Sequence, residues 1–179
     1  QTGTKNLVEA VYRLNPKIKR FVYISSQSAM GPADTCNPRD PSAKCGPVSE
    51  YGRSKLAGET ETLKLKNKIP VTIIRPSAVY GPRDKDIFPF FKSVAKHNIF
   101  PVLNTGRESR VQILFVRDLA EICAIMAERE KLQNEVYFIS ENRFYSWPEI
   151  GRALAKAAGI EKVRMIRIPS FLVKSLASL

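Results

Sequence analysis

The chain has a single histidine, His97, and no CxxC pair among its three cysteines, Cys36, Cys45 and Cys123. A lone histidine has no partner for a His-containing triad or a metal cluster, so no metal is expected and His97 reads as a surface helix residue. Cysteines so few and so spaced exclude a zinc-finger pattern and point to a reducing compartment. Cys36 and Cys45 share one loop, where a disulfide stays open as the lesser alternative. None of the nine glycines falls into GxGxxG or GxxGxxG, the turn that holds a dinucleotide pyrophosphate against a helix N-terminus. No apolar run is long enough to span a bilayer, and the opening residues do not read as a signal peptide. The expectation is a cytoplasmic protein with no membrane span. Internal repeats and low-complexity tracts are absent as well.

Acidic residues are scarce beside basic ones: 17 against 29, a net charge of +12. Such a charge permits attraction to nucleic acid, acidic lipid or phosphorylated ligands. The basic residues are scattered, however, with no stacking aromatics between them and no helix-turn-helix or RNA-binding signature. A solvated basic surface is the expected reading, and no nucleic-acid partner is expected. Apolar residues make up 44% of 179, enough for a core of ordinary size.

Helix and strand signals alternate along the chain. Leu7, Val8, Val11 and Leu14 form a helical stripe that Asn15-Pro16 closes. RFVYIS (20–25) reads as a strand buried on both faces. Residues 27–50 form a loop rich in Pro, Ser, Asp and Cys, and a loop of that length in a compact domain is functional as a rule. A helix from Tyr51 to about Asn67 follows, and Pro70 opens a second buried strand, VTIIR. Past Gly81-Pro82, IFPFFKSVAKHNIF reads as an amphipathic helix with Phe88, Phe91 and Val94 on one side. Gly106 marks a turn, VQILFV reads as a strand, and Asp118 with Glu121 resembles a capping box opening DLAEICAIMAERE. VYFIS (136–140) is a short strand. Ser146 and Glu149 can cap WPEIGRALAKAAG, which stops at Gly159. Residues 163–168 alternate as a strand, and Pro169 starts a last amphipathic helix. This alternation implies an α/β fold with a parallel sheet and right-handed crossovers.

Tyr51 and Lys55 lie four residues apart in EYGRSKLAGE and so share one helix face. An ammonium beside a phenol favours the phenolate over its ordinary pKa of about 10. The pair can then take a proton from an alcohol or give one to a carbonyl. A surface tyrosine with a solvated lysine shows the same spacing, and the flanking segments separate the two readings: RFVYISSQSAMGP upstream and PVTIIRPSAVYGPRD downstream.

Together these segments resemble the extended short-chain dehydrogenase/reductases, the NAD-dependent epimerase/dehydratase family. GTKNLVEA is similar to the helix after the family's fourth strand, and YISSQSAMG to its fifth strand and catalytic Ser/Thr turn. YGRSK matches the YxxxK signature, RPSAVYGP the segment that touches the nicotinamide, and VRDLAEICAIM a later helix. The implied fold is the C-terminal part of a Rossmann-type doubly wound parallel sheet plus a small α/β substrate-binding lobe. Residues 1–81 would be a partial NAD(P)-binding domain and 82–179 mostly the lobe, with 116–140 returning to the Rossmann domain. The family places its glycine-rich turn well before the GTxNL helix. The chain therefore reads as a fragment lacking the adenine-binding half, with its last helix cut short.

The resemblance implies an NAD- or NADP-dependent oxidoreductase or epimerase acting on a small-molecule substrate. Hydride passes between the nicotinamide and a hydroxyl or carbonyl carbon. Tyr51 is then the acid/base, Lys55 tunes it and holds the cofactor ribose, and Ser26 hydrogen-bonds the substrate oxygen. Ser25 and Ser28 stay open as alternatives to Ser26, as does a structural role at a strand end. Pro76, Ser77 and Val79 line the nicotinamide with Tyr51 and Lys55. Ser28, Arg83, Phe88 and Arg110 are candidate substrate contacts, with plain surface or core as the alternative for each. Arg75 is expected to pair with a structural carboxylate. Taken alone, the fragment is expected to be inactive, and a homodimer of the full-length protein is an expectation.

Two positions depart from the nucleotide-sugar pattern. Ala78 stands where those members usually carry Asn, and Val111 where they often carry Arg. Both point toward the branch resembling dihydroflavonol reductases and 3β-hydroxysteroid dehydrogenases, which the apolar PSFLVKSLASL tail also suits. A nucleotide-sugar epimerase or dehydratase is the alternative. A non-catalytic dinucleotide-binding regulator is a further one, and Ser26, Tyr51 and Lys55 count against it.

Overall fold

The computed structural model describes residues 2–33, 39–40, 42–104, 110–132 and 135–169. In chain order the elements are α1 (Thr2–Leu14), β1 (Phe21–Ile24), a 3₁₀ turn (Gln27–Ala29), α2 (Glu50–Leu63), β2 (Val71–Pro76) and β3 (Ala78–Tyr80). Then come α3 (Phe88–His97), β4 (Ile99–Asn104), β5 (Arg110–Val111), β6 (Ile113–Phe115) and α4 (Val116–Glu128). The series ends with β7 (Val136–Ile139), β8 (Tyr145–Ser146), α5 (Trp147–Ala157) and β9 (Arg164–Pro169). The chain divides into two compact units: Gln1–Val79 with Leu114–Ser140, and Tyr80–Ile113 with the stretch from Glu141 on. Among the described residues no helix is long and apolar enough to cross a membrane.

The first unit is built on a parallel sheet in the order β1-β2-β7. Its register runs from Phe21 opposite Val71 to Ile24 opposite Ile74, and from Ile73 opposite Val136 to Pro76 opposite Ile139. β2 is buried along its whole length, which is why VTIIRP shows no polar alternation: a central parallel strand is covered on both faces. Val8 of α1 packs on Ile69 and Val71, with Phe21 and Leu63 against them. Each such buried aliphatic side chain contributes about 1.5–3 kcal/mol.

The second unit pairs β4 with β9 in parallel, Ile99 opposite Arg164 through Asn104 opposite Pro169. Val94, Phe100 and Ala155 are its buried centre, and the Phe90 ring lies 5.7 Å from both Phe100 and Trp147. The Ser146–Glu149 capping box is formed in full.

Several boundaries differ from those read in the sequence. The helix expected to run through IFPFFKSVAKHNIF ends at His97, because Asn98 turns left-handed at φ 55° and Ile99 joins a strand beside β9. VQILFV is not one strand: it breaks at Gln112, whose side-chain amide donates to the Glu141 carbonyl at 3.2 Å, and Val116 already belongs to α4. That helix starts two residues before Asp118, so Asp118 lies in its first turn. There its charge complements the N-terminal dipole instead of capping the helix. α2 stops at Leu63, not near Asn67. Leu65, Lys66 and Lys68 then bond three residues back in tightening turns. The expected Gly106 turn, Cys36 and the helix after Pro169 lie outside the described residues.

Candidate active site

α2 begins where Ser49 accepts the Gly52 N–H at 3.0 Å, a cap that fixes the helix start one residue before Tyr51. Lys55 stands one turn further on the same face. Its Nζ donates to the Ile24 carbonyl at 3.1 Å and lies 5.6 Å from the Tyr51 ring centroid and 5.8 Å from that of Tyr23. The ammonium thus ties α2 to the end of β1 and sits against two aromatic rings. The two phenols differ. Burial pushes the Tyr23 hydroxyl up from the ordinary phenol value, so it keeps its proton, whereas Tyr51 is 56% exposed. Tyr23 was not singled out in the sequence. The available signal was its place two residues before the serine pair, on the strand that must face the YxxxK helix.

The serines separate by role. Ser25 is buried and donates its hydroxyl to Glu59 Oε1 at 2.5 Å. Ser26 caps the 3₁₀ turn, its Oγ accepting the Ser28 N–H at 3.1 Å. A hydroxyl that accepts in this way still has its own proton to donate. Ser28 is exposed. Two glycines allow close backbone approach at and just beyond the turn. A Cβ on Gly52 would come 2.3 Å from the Ser28 carbonyl oxygen, and one on Gly31, at φ +85°, 2.1 Å from that of Gly46. Gly52 therefore lets α2 touch the backbone of the serine turn. Gly52→Ala is expected to lower stability by about 1–3 kcal/mol as helix and turn separate, and a thermal melt checks it. A wild-type melting temperature would show that the turn moves aside freely.

At the end of β2, Arg75 forms a buried bidentate pair with Glu59, the structural carboxylate expected for it. Pro76 and Ser77 are buried, and Val79 is half-buried. The Ser77 N–H donates to the Ile139 carbonyl at 2.9 Å. Its hydroxyl is buried with no partner among the described residues. A cavity of about 290 Å³, lined by Gln27, Ser28, Gly31, Pro32, Val48 and Ser49, opens beside the serine turn.

Ser26, Ser28, Tyr51, Lys55, Pro76, Ser77 and Val79 all belong to the first unit. Arg83, Phe88 and Arg110 belong to the second. Arg83 is exposed in a left-handed turn at φ 72°, Phe88 is 58% exposed, and Arg110 pairs across from Ser146 in β5.

A family model described as "NAD dependent epimerase/dehydratase family" matches residues 1–140. A UDP-glucose 4-epimerase of Vibrio cholerae is 27% identical over 158 residues, covering 87% of this chain and 48% of the relative. A ceramide reductase of Caulobacter vibrioides is 31% identical over 150 residues, covering 84% of this chain and 41% of the relative. The crystal structure of dTDP-glucose 4,6-dehydratase from Bacillus anthracis in complex with NAD shares the fold. Its TM-score is 0.81 at 23% identity, over 93% of this chain and 54% of that one. The chain spans about half the length of the curated relatives it matches. With the family model covering more than three-quarters of its residues, the chain belongs to the NAD-dependent epimerase/dehydratase family.

Proposed function

We propose that the whole protein passes a hydride between NAD or NADP and a hydroxyl or carbonyl carbon of a small molecule, with Tyr51 moving the hydroxyl proton. The observation that carries this reading is the placement of Lys55, bonded to the Ile24 carbonyl and set against the ring of the exposed Tyr51. An ammonium has three donors, and the bond to Ile24 uses one. The others can take ribose hydroxyls. A nicotinamide fits the end of β2, where α/β sheets bind their ligands. There the unpartnered Ser77 hydroxyl is a buried polar group that a carboxamide would satisfy. The nicotinamide, when bound, supplies the hydride acceptor or donor. Tyr51 exchanges a proton with the substrate oxygen, Ser26 donates its O–H to that oxygen, and the Lys55 charge steadies the negative oxygen formed.

For the substrate, the reading favours an apolar alcohol or ketone of the dihydroflavonol or 3β-hydroxysteroid kind. Ala78 and Val111 support it, as does a cavity beside the serine turn lined by Pro32, Val48 and uncharged polar residues. The ceramide reductase relative is, by its name, a reductase of an apolar substrate, though neither a dihydroflavonol nor a steroid. A nucleotide-sugar substrate is the second reading, favoured by the UDP-glucose 4-epimerase relative. The test titrates NAD(H) and NADP(H) by fluorescence, then follows reduced-cofactor absorbance against ketones, hydroxysteroids, flavonols, sphingolipids and nucleotide sugars. For nucleotide sugars, product analysis is added, since epimerisation leaves no net reduced cofactor. Turnover of an apolar alcohol or ketone is expected. Turnover of nucleotide sugars alone would select the second reading, and tight dinucleotide binding without turnover would indicate a regulator.

A further inference from the structure

We infer that Glu59, with Arg75 and Ser25, is a buried clamp that positions Ser26 and Lys55. The inference rests on the proposed catalytic reading. Glu59 follows Lys55 by four residues and Tyr51 by eight, so all three lie along one side of α2. Its carboxylate holds the ends of two strands at once. Ser25, at the exit of β1, donates to Oε1 at 2.5 Å. Arg75, in β2 just before Pro76 and Ser77, donates from Nε to Oε1 at 2.9 Å and from Nη2 to Oε2 at 2.6 Å. The guanidinium reaches further, to Met30 Sδ at 3.5 Å and Cys45 Sγ at 3.2 Å. Its face lies over the Phe138 ring at 5.3 Å. The exit of β1, the residue just past the 3₁₀ turn, α2 and β2 therefore all meet this one ion pair.

The geometry explains why a charged pair is buried here. A buried pair adds little net stability over an apolar replacement, but the planar fork on a carboxylate fixes direction as well as distance. Two successive residues at the exit of β1 are held by two residues one helical turn apart: Ile24 by Lys55, and Ser25 by Glu59. Ser26 comes next in the chain. It cannot slide along α2 without breaking one of these bonds, so the distance from its hydroxyl to Tyr51 is set by the clamp. Misplacing a reacting group by about 1 Å can cost a hundredfold in rate.

The test compares Ser25→Ala with Thr62→Val in the whole protein. Ser25→Ala cuts the tie to β1 but leaves the Arg75–Glu59 pair whole. Thr62→Val removes another buried α2 hydroxyl, one that donates to the Gly58 carbonyl of its own helix, and so reports a merely structural loss. In Ser25→Ala, hydrogen exchange at the Ser28, Ala29 and Met30 amides is expected to quicken about tenfold. Its kcat is expected to fall about ten- to a hundredfold, with dinucleotide affinity held within about twofold. Thr62→Val should show neither change. Equal exchange in Ser25→Ala and wild type, equal acceleration in both variants, or faster exchange at full kcat would each overturn the clamp. Should the amides respond as expected while Tyr51→Phe keeps full turnover, the catalytic reading falls and the inference that Glu59 serves catalysis falls with it. An inactive Tyr51→Phe beside an unaltered Ser25→Ala removes the clamp alone.

Discussion

Tyr51→Phe is expected to reduce kcat by about a hundredfold to ten-thousandfold, the range that a positioned acid/base supplies. Dinucleotide affinity is expected to stay within about twofold. Phenylalanine keeps the ring, and with it the contact to Lys55, whose Nζ lies 5.6 Å from the centroid. Only the hydroxyl is lost, from a side chain 56% exposed, so the melting temperature should not move. Steady-state kinetics, fluorescence titration and a thermal melt on the same preparation separate the three quantities. Retained turnover would remove Tyr51 from the reaction. Lys55 touches a second phenol, so loss of turnover in Tyr23→Phe would then reassign the proton transfer. Tyr23 is half-buried where Tyr51 is 56% exposed, which argues for the expected result.

What could be read from the sequence was what local chemistry dictates. The runs FVYI, VTIIRP and VYFI appear as the three strands of one sheet. VTIIRP is buried along its whole length, as a central parallel strand must be. FVYI, expected to be buried on both faces, is instead half-buried and ends on Ile24 at 44% exposure, because β1 stands at the end of the order β1-β2-β7. The Ser146–Glu149 box was legible because a cap is a contact between residues three apart. What depended on a distant partner was not legible. Ile99 and Phe100 continue a helical pattern, and only β9, more than sixty residues later, makes them a strand. Gln112 interrupts VQILFV by bonding to Glu141. At the site, the YxxxK pair could be read as two residues on one face, and Arg75 as the partner of some carboxylate. Which carboxylate it was, and that the same group also holds Ser25, required the fold. The sequence separation between Ser25 and Arg75 gives no periodicity to read.

Arg75→Met is expected to destabilise the protein by about 3–5 kcal/mol, the cost of leaving a buried charge without its partner. Glu59 and Arg75 are only 2% and 4% exposed, so solvent does not screen the loss as it would at the surface. In Arg75→Met, Glu59 retains one neutral donor, the Ser25 hydroxyl. Urea denaturation measures the change as a shift in midpoint at constant slope. The double variant Arg75→Met/Glu59→Leu should recover much of the loss, because two apolar side chains owe no desolvation to the core. An additive double variant, as unstable as the sum of the singles, would show that the two residues act separately. Recovery of stability should not bring recovery of turnover. A leucine in place of Glu59 cannot accept from Ser25, so of the two side-chain ties from α2 to the exit of β1 the Lys55–Ile24 bond would remain, beside the backbone bond from Ser25 to Ile74. A double variant that folds as firmly as wild type but turns over slowly would place the value of the ion pair in geometry rather than in stability. One that recovers both would leave Glu59 and Arg75 as core residues and nothing more.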